Sequence, residues 1–495
     1  MKKIARISAF AAILLSLVSC NDWLEAVSST QIEADKLFES KEGYYDALVG
    51  VYMNMATQAA YGQYMTSYYP DLIVCPYEKS SQQSIANWQN HLYSVASIEK
   101  TISAMWLKLY NTIAGINLEL QELDEHEDIF SNKTEYNLIK GELLGLRAYI
   151  HFDIMRLWGV AHWSDANMDK KTIPYVTQYT KEITAQKSYK ETIEMLYKDV
   201  EDALELLAGD PILGKMSEDF ENSANAEGFW NNRSKHMNYL AAKALKARIL
   251  MWQDRKEEAA TLAEEVLNQA FAVGAVSWYD YQKYVNETYP ESVDWTMSTE
   301  HLFSLEVSEM SSYSSLFTVQ LNTGGLWLQM DFIEKTLFPT VDSETGSLAG
   351  REDVRGPLLI LSRTTSGYCN FKLYATGTQT AEFRNRMPML KVSELYLMMA
   401  ENCLEKKDTL GAFTQLNTIR KHRGVEDELA APKDITEEIA KEYYREFINE
   451  GQMLYYFKRT DVKNNPGGEY FKVNPQDLIL PYPTDETSYG RNQEL

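Results

Sequence analysis

The chain of 495 residues is long enough for a large buried core, and its 45% hydrophobic and 24% charged residues are ordinary for a globular protein. Its 71 acidic residues outnumber 48 basic ones, which gives a formal net charge of −23. An acidic surface repels phosphate backbones, so we expect no nucleic acid partner. The 32 Tyr, 17 Phe and 10 Trp residues supply enough rings for some to serve as exposed flat platforms.

The first element along the chain is an export signal. A basic start precedes an apolar stretch, residues 7–18, that is too short to span a bilayer. A small residue and Cys20 follow, an arrangement that resembles the lipobox at which bacterial lipoproteins are cleaved and lipidated. The pattern predicts a signal peptide over residues 1–19 and a lipid anchor on Cys20, although a plain secretory peptide can also begin this way.

Three further cysteines, Cys75, Cys369 and Cys403, form an odd set without C-x-x-C spacing. We therefore expect buried thiols rather than a disulfide framework or a zinc site. No later stretch approaches about 18 uninterrupted apolar residues, so the sequence predicts no transmembrane helix. The protein is expected to be anchored by lipid rather than to span a membrane.

Amphipathic helices are predicted for much of the remaining chain. Between Leu138 and Leu157, apolar residues recur at three- and four-residue steps, which is the period of a helix with one packed face. Comparable patterns predict helices over residues 42–57, 101–124, 135–158, 189–208, 236–253, 256–271, 391–405, 408–422 and 434–458.

Two pairs of these helices carry small residues twelve positions apart: Ala247 with Ala259, and Ala400 with Ala412. Small residues at this spacing allow two antiparallel helices to approach closely, as in tetratricopeptide hairpins. The sequence therefore predicts a mostly α fold, in which a tetratricopeptide-like scaffold of helical hairpins carries long loop-rich excursions and a few short strands.

The two excursions are residues 58–100 and 272–388, which are rich in Tyr, Trp, Gly, Ser and Asn and have little helical period. Short strand-like runs occur in the second excursion, at residues 302–307 and 371–374. Segments of this length inside a compact protein are seldom idle connectors, so we expect the excursions to carry function.

Motifs for catalysis or cofactor binding are incomplete. Residues 209–215 fit the opening of a phosphate-binding loop, but Met216 stands where a hydroxyl must reach Mg²⁺, so a helix end fits better. His151 falls in the middle of a helix and is expected to be a satisfied interior side chain. Asp342 and Glu344 offer oxygen ligands for Ca²⁺ without the full loop pattern, so an ordinary turn is favoured. We expect no cofactor and no bound metal.

Several blocks, taken in order, resemble the SusD/RagB family. The most distinctive is residues 147–159, which read Arg-Ala-Tyr-Ile-His-Phe-Asp-Ile-Met-Arg-Leu-Trp-Gly. An Asn-Pro pair typical of the family's C-terminal ending is absent, which affects only the expected packing of the tail. The similar blocks span nearly the whole mature chain and lie at residues 22–25, 47–52, 106–117, 147–159, 394–401, 416–424, 442–451 and 479–483.

The resemblance implies a single domain over residues 20–495, with an N-terminal part to about residue 230 and a C-terminal part from about residue 231. It also implies a lipoprotein at the cell surface of the outer membrane that binds oligo- or polysaccharide and is not an enzyme. In such systems the protein closes over a SusC-like TonB-dependent transporter, so nutrient uptake is the implied function.

Ligand-binding residues are expected in the excursions, because the similar blocks belong to the scaffold. Tyr and Trp rings bury the apolar C–H faces of a sugar, while amides hydrogen-bond its hydroxyl groups. For Trp88 we expect an exposed face, so that Trp88→Ala weakens glycan binding without loss of stability. The candidate ligand-binding residues are Tyr77, Trp88, Asn90, Trp295, Tyr313 and Trp327.

Three alternatives stay open at this stage. The same fold binds oligopeptides in RagB-like relatives, although the tryptophans of the excursions favour sugars. A surface glycoside hydrolase is an alternative from another class, because its paired carboxylates need not be close in sequence. A tetratricopeptide adaptor that binds only proteins is the third.

Overall fold

The structure, a computed structural model, describes residues 36–160, 163–214, 216–282, 293–318, 325–339, 349–357, 360–375, 380, 382–431, 433–461 and 465–488. The chain divides into two compact units, Met1–Ala47 and Leu48–Leu495. In the first unit, the described residues contain the start of the first long helix. Three predicted features, the lipidated Cys20 and the oxygen ligands Asp342 and Glu344, lie outside the described residues.

Helices dominate the described part of the chain, which confirms the predicted fold class. Two π-helical turns occur at Tyr64–Tyr68 and Phe332–Leu337, and short 3-10 turns at Glu127–Ile129, Leu207–Gly209, Pro211–Leu213, Arg233–Lys235, Ser298–Glu300 and Pro475–Leu478. The α-helices are α1 (Lys41–Met55), α2 (Tyr69–Val74), α3 (Gln83–Gln89), α4 (Ala96–Glu125), α5 (Lys133–Trp158), α6 (Tyr189–Leu206), α7 (Glu218–Ser223), α8 (Tyr239–Trp252), α9 (Lys256–Ala272), α10 (Met310–Thr318), α11 (Ala349–Glu352), α12 (Val392–Glu405), α13 (Thr409–Lys421), α14 (Ile435–Phe447), α15 (Gln452–Thr460) and α16 (Thr484–Ser488).

The strands are short and pair two by two, antiparallel in each case. They are β1 (Lys171–Pro174) with β2 (Gln186–Ser188), β3 (His301–Glu306) with β6 (Arg386–Lys391), and β4 (Leu361–Arg363) with β5 (Tyr368–Asn370). The strand predicted over residues 302–307 is therefore confirmed as β3. The one predicted over residues 371–374 is wrong, because the chain turns there and Tyr374 N donates to Phe371 O at 2.8 Å.

The predicted hairpins form a stack. Helix α8 packs on α9, α9 on α12, and α12 on α13. All four small residues, Ala247, Ala259, Ala400 and Ala412, are fully buried. A methyl group at each of these positions leaves room for the neighbouring helix, which explains the spacing seen in the sequence.

Helix α5 is buried along most of its length and joins the N-terminal elements. Asn132 begins it, because its side-chain oxygen accepts the N–H of Thr134 at 2.9 Å. Arg147 binds both carboxylate oxygens of Asp199 on α6, at 2.8 and 2.7 Å. His151 receives the N–H of Val176 at 3.0 Å, and burial lowers the pKa of its imidazole to about 3. His151 is thus the satisfied interior side chain that the sequence predicted.

The C-terminal end of α5 is closed by residues from far along the chain. Buried Lys458 on α15 donates to three main-chain carbonyls, those of Arg156 at 2.5 Å, Leu157 at 3.2 Å and Gly159 at 3.3 Å. Leu480 N also donates to Leu157 O, at 3.0 Å. The side-chain amino group of Lys458 supplies donors for carbonyls that a helix end leaves without intrahelical partners, and its burial lowers the pKa of this amine well below its ordinary value.

The predicted helix over residues 434–458 is two helices, α14 and α15. Asn449 and Gly451 both adopt positive φ, 67° and 74°, which ends α14 and redirects the chain. Asp71 accepts the main-chain N–H groups of both residues. The apolar residues keep a helical period through this break, so the sequence pattern did not reveal it. Asp71, which stabilises the turn, is far away in sequence.

Charged residues of two family-like blocks, 416–424 and 442–451, form a buried ion-pair network with Glu300 and Arg355. Arg423 binds Glu300 at 2.7 Å and Glu446 at 2.8 Å. Arg355 binds Glu446 at 2.7 Å and Glu442 at 2.5 Å. All five side chains are almost fully buried, so removal of one partner leaves an unpaired charge inside the protein. This network explains the sequence block at residues 442–451 as scaffold.

Candidate functional site

A row of aromatic side chains in the first excursion is the candidate site. The π-helical turn Tyr64–Tyr68 runs directly into α2, which begins at Tyr69. Ring centroids of Tyr64 and Tyr68 lie 6.0 Å apart, and those of Tyr68 and Tyr69 lie 4.5 Å apart. The wider π-helical turn places these side chains together, and turns of this kind often occur at functional sites.

Helix α3 and the segment after it extend the row. Trp88 stacks on Tyr69 with centroids 4.0 Å apart and planes inclined by 29°. Tyr93 meets the edge of Trp88 at 5.9 Å. The name aromatic row is used below for Tyr64, Tyr68, Tyr69, Trp88 and Tyr93.

The rings of the aromatic row differ in exposure. Trp88 and Tyr69 are 2% and 6% exposed and form its buried support. Tyr64, Tyr68 and Tyr93 are half-buried and therefore keep part of a ring in contact with water. Buried rings hold the half-buried ones in place, so those offer preorganised aromatic surface at small entropic cost.

Polar groups connect the aromatic row to the second excursion. Gln58 Nε2 donates to Gln63 Oε1 at 2.8 Å, and Gln63 Nε2 donates to the main-chain oxygen of Tyr313 at 3.0 Å. Tyr313 lies on α10 and is half-buried. The two excursions, which are 250 residues apart at this contact, thus meet beside the row.

Burial shifts the pKa of several phenol groups at the site. Burial raises the pKa of Tyr68 to about 12, and the neighbouring Tyr64 adds to the shift. Burial also raises the pKa of Tyr69, Tyr93 and Tyr313 above its ordinary value of 10.0. The Tyr68 phenol therefore keeps its proton at neutral pH and has both a donor and an acceptor for a hydroxyl-rich ligand. The Tyr93 hydroxyl already donates to Asp477 O at 2.5 Å.

The aromatic row is fixed to the scaffold through α2. Asp71 accepts N–H groups from Asn449 and Gly451, and Tyr77 donates to Asn449 Oδ1 at 2.7 Å. Tyr444 of α14 donates to Val74 O at 3.1 Å, at the other end of α2. Burial raises the pKa of Asp71 to about 8, although the two N–H groups counteract the shift.

A second group of candidate residues surrounds Trp327. Glu78 N donates to Trp327 O at 2.7 Å, and Gln329 N donates to Pro76 O at 2.9 Å. Trp327 and Glu78 are half-buried, and burial raises the pKa of the Glu78 carboxyl above its usual value. Strand-like pairing therefore places these side chains at the end of the segment that follows α2.

The structure separates the six predicted ligand residues into two kinds. Tyr313 and Trp327 are half-buried, and Asn90 is exposed, with its side-chain Nδ2 donating to Ala86 O at 2.6 Å. These three keep surface that a ligand can reach, and their contact with one stays a prediction. The other three, Tyr77, Trp88 and Trp295, are 4%, 2% and 8% exposed.

The expected exposed face of Trp88 disagrees with this burial. Its ring lies against Tyr69 and Tyr93 and supports the aromatic row from behind. Tyr77 and Trp295 pack inside the protein as well, Trp295 with its ring 6.1 Å from that of Phe371. In these loop-rich segments the large aromatic residues form local cores. The amino-acid composition of a segment does not show which of its rings are buried and which face water.

Four residues of the aromatic row were not among the sequence candidates: Tyr64, Tyr68, Tyr69 and Tyr93. Three of them, Tyr64, Tyr68 and Tyr69, lie in the dense tyrosine run of residues 61–69. The burial that separates Tyr69 from Tyr68 depends on tertiary contacts with Trp88.

The described residues contain no group of three or more His, Cys, Asp or Glu side chains that is arranged to hold a metal ion. Among the helices of the described residues, none has the length and apolar character needed to cross a bilayer. Cys75 and Cys369 are buried thiols as expected, whereas Cys403 is half-buried.

Two family models match the sequence. The SusD-like model described as starch-binding associating with outer membrane matches residues 22–225, and the SusD family model matches residues 349–493. A SusD-like protein of Formosa agariphila is 26% identical over 165 residues, which are 32% of this chain. That alignment spans 31% of the relative's own length.

Solved structures show the same fold. A SusD superfamily protein from Bacteroides thetaiotaomicron has a TM-score of 0.70 at 20% identity, with 91% of this chain and 98% of that chain covered. One from Bacteroides vulgatus has a TM-score of 0.71 at 21% identity, with 92% and 98% covered. A SusD-like carbohydrate binding protein from Bacteroides vulgatus has a TM-score of 0.63 at 18% identity, with 85% and 84% covered.

Proposed function

The chain belongs to the SusD/RagB family, and from this premise we propose that it is a cell-surface lipoprotein that captures oligo- or polysaccharide and delivers it to a TonB-dependent transporter of the outer membrane. The observation that carries the proposal is the aromatic row, with half-buried Tyr64, Tyr68 and Tyr93 held by buried Trp88 and Tyr69.

The chemistry of the aromatic row suits a sugar. A pyranose ring has apolar C–H faces that an exposed tyrosine face can cover, and the neutral Tyr68 phenol can both donate to and accept from its hydroxyls. Exposed Gln58 adds an amide group next to the row, held there by its hydrogen bond to buried Gln63. The ligand is bound without chemical change, and hydrolysis is left to other proteins.

The location follows from the same premise and from the N-terminal sequence. The matching family model is described as associating with the outer membrane. Cys20 with its preceding signal supplies the proposed lipid anchor, and several acyl chains on one cysteine hold a protein firmly at a bilayer. The acidic chain needs this covalent anchor, because its net charge of −23 gives no attraction to anionic lipids.

The test is electrophoresis of lipid-free protein through native gels that contain starch, laminarin, xylan or pectin. We expect one of these polysaccharides to retard the protein, and Tyr68→Ala to reduce that retardation. Loss of one stacking ring corresponds to a roughly three- to tenfold lower affinity. Tyr179→Ala is the matched control, because Tyr179 is also a tyrosine with an exposed ring, 44% exposed, and lies outside the aromatic row.

Two results contradict the proposal. The first is migration of the wild-type protein that none of the polysaccharides changes, combined with binding of oligopeptides in calorimetry. The second is the appearance of new reducing ends when the pure protein is incubated with the retarding polysaccharide, which would make the protein an enzyme.

A further inference from the structure

A polar cavity of about 650 Å³ lies outside the aromatic row. It forms where the π-helical turn Phe332–Leu337 meets the first turns of α14 and the loop at residues 465–470. Pockets that bind small ligands commonly measure about 300–1,000 Å³, so the cavity is large enough for a sugar unit.

The lining of the cavity is polar almost throughout. Pro466 and Gly468 are the lining residues without a polar side chain. An apolar ligand gains little from such walls, whereas a ligand with many hydroxyl groups finds donors and acceptors on each side. The polar groups include those of Thr336, Thr436, Glu437, Asn465 and Glu469.

One wall carries an aromatic ring in a fixed position. Tyr470 is half-buried, and its ring meets that of Phe332 at 5.5 Å with planes inclined by 66°. Its hydroxyl donates to the main-chain oxygen of Asp331 at 3.3 Å. The cavity therefore combines hydrogen-bonding groups with a supported ring, as a carbohydrate site requires.

The charges of the cavity disfavour an anionic ligand, because its two lysines are accompanied by Asp434, Glu437 and Glu469. Lys335 is paired with Asp331 at 2.7 Å, and Lys441 is paired with Glu437 at 2.7 Å and Glu438 at 3.2 Å. Each lysine of the lining thus has an acidic partner close by, and the lining has no surplus positive charge to attract sulfate or phosphate groups.

The cavity and the aromatic row share their support. Tyr444 donates to Val74 O at 3.1 Å at the end of α2, and its ring meets Phe332 at 5.1 Å on the cavity side. Its hydroxyl also lies 3.5 Å from Asn465 Oδ1 in the cavity wall. Packing of this kind keeps the cavity and the row in a fixed relation.

We propose that this cavity is a second carbohydrate site, which binds a neutral sugar unit of the same polysaccharide that the aromatic row captures. The inference rests on the proposed function. Two sites on one support bind a long chain more tightly than either site does alone, because the second contact forms at a high effective concentration. Short oligosaccharides that occupy one site gain nothing from the other.

The experiment uses the native gels with starch, laminarin, xylan or pectin. Thr436→Trp fills the cavity from a partly exposed position, and Tyr470→Ala removes its ring. Thr261→Trp is the matched control, because Thr261 is an exposed threonine on α9. We expect Thr436→Trp and Tyr470→Ala each to lower the affinity for the polymer roughly three- to tenfold, with Thr261→Trp equal to wild type.

Short oligosaccharides of the same polysaccharide separate the two sites. In calorimetry, wild type and Thr436→Trp should bind a trisaccharide at the aromatic row with the same affinity. Polymer binding that is lost with Tyr68→Ala but unchanged by Thr436→Trp would overturn the second site and leave the proposed function intact. Wild-type protein that no polysaccharide retards would overturn both proposals.

Discussion

Half-buried tyrosines give the site different properties from those of exposed tryptophans. Tyr68 packs against Tyr69, which in turn packs against Tyr64, so the Tyr68 ring keeps one orientation while part of it remains exposed. A tyrosine thus contributes a smaller apolar face together with a hydrogen-bonding group at its rim. Trp88 is buried behind these rings, where it holds them in place and does not itself face a ligand.

Trp88→Ala should therefore lower stability strongly. The side chain is 2% exposed, and its removal leaves a cavity beside Tyr69, which costs about 3–5 kcal/mol of unfolding free energy. Urea denaturation followed by circular dichroism measures the loss. Tyr179→Ala, at an exposed position, should leave the denaturation midpoint near that of wild type. A wild-type midpoint for Trp88→Ala would contradict the buried position.

A histidine makes stability depend on pH. His422 stacks on Trp278 with centroids 4.2 Å apart, and burial, with help from Arg423, lowers its pKa to about 4. An unfolded chain has an imidazole pKa near 6.5, so between pH 6.5 and 4 the unfolded state binds a proton that the folded state does not. The free energy of unfolding contributed by this residue therefore falls as pH falls through that range.

His422→Phe keeps an aromatic ring against Trp278 and removes the titration. We expect its free energy of unfolding to fall less steeply between pH 6.5 and 5 than that of wild type, by roughly 0.5 kcal/mol per pH unit, because the half-buried ring keeps some contact with water. Urea midpoints at three pH values measure the two slopes. Parallel slopes would show that His422 does not carry this dependence.

The sequence revealed residue types more reliably than residue environments. It identified His151 as interior, because a polar side chain in the middle of an apolar helix must find partners inside the protein. It did not distinguish Trp88 from Trp327, since both lie in segments without period. Burial there depends on contacts between the two excursions, such as Gln63 with Tyr313.

At the scale of elements, Asp71 links the short helix α2 to the scaffold. Helix α2 has six residues, too few to be stable in isolation, so tertiary contacts hold it. Asp71 links it to the turn between α14 and α15, and the same turn decides where α14 ends. Asp71 thus contributes both to the order of the aromatic row and to the break between α14 and α15.

Asp71→Ala should release both elements together. Two buried N–H groups lose their acceptor, which costs about 1.5–3 kcal/mol. Hydrogen exchange measured by mass spectrometry should show faster exchange in α2 and in the α14–α15 turn, with unchanged protection in α9. Exchange that rises equally throughout the protein would indicate global destabilisation instead of the local link. Asp71→Asn keeps one acceptor and should restore part of the protection.

Helix positions were largely predictable and helix ends were not. The stack of α8, α9, α12 and α13 follows from apolar period and from small residues that allow close approach. The break at Gly451 needs both positive φ and the acceptor from Asp71, and the period of the surrounding residues continues through it. Helix ends that depend on residues distant in the sequence cannot be inferred from the local pattern of apolar and polar residues.

At the scale of the whole molecule, the proposed anchor determines where the site works. Replacement of Cys20 by Ala should release the protein from membranes, because acyl chains supply the proposed attachment. Fractionation of cells that express the Cys20→Ala variant should move the protein from the membrane pellet to the soluble fraction, and palmitate labelling should be lost. Cys403→Ala is the control and should stay in the pellet. A variant at position 20 that remains in the pellet would contradict lipid anchoring.

The hydrogen bonds from Lys458 to the C-terminal end of α5 have a consequence for the order in which the protein folds. A polypeptide is synthesised from its N-terminus, so the carbonyls of Arg156, Leu157 and Gly159 precede the Lys458 amino group that satisfies them by some 300 residues. Contacts of such long sequence separation form slowly. The C-terminal end of α5 therefore acquires its side-chain donors only after nearly the whole chain has been made.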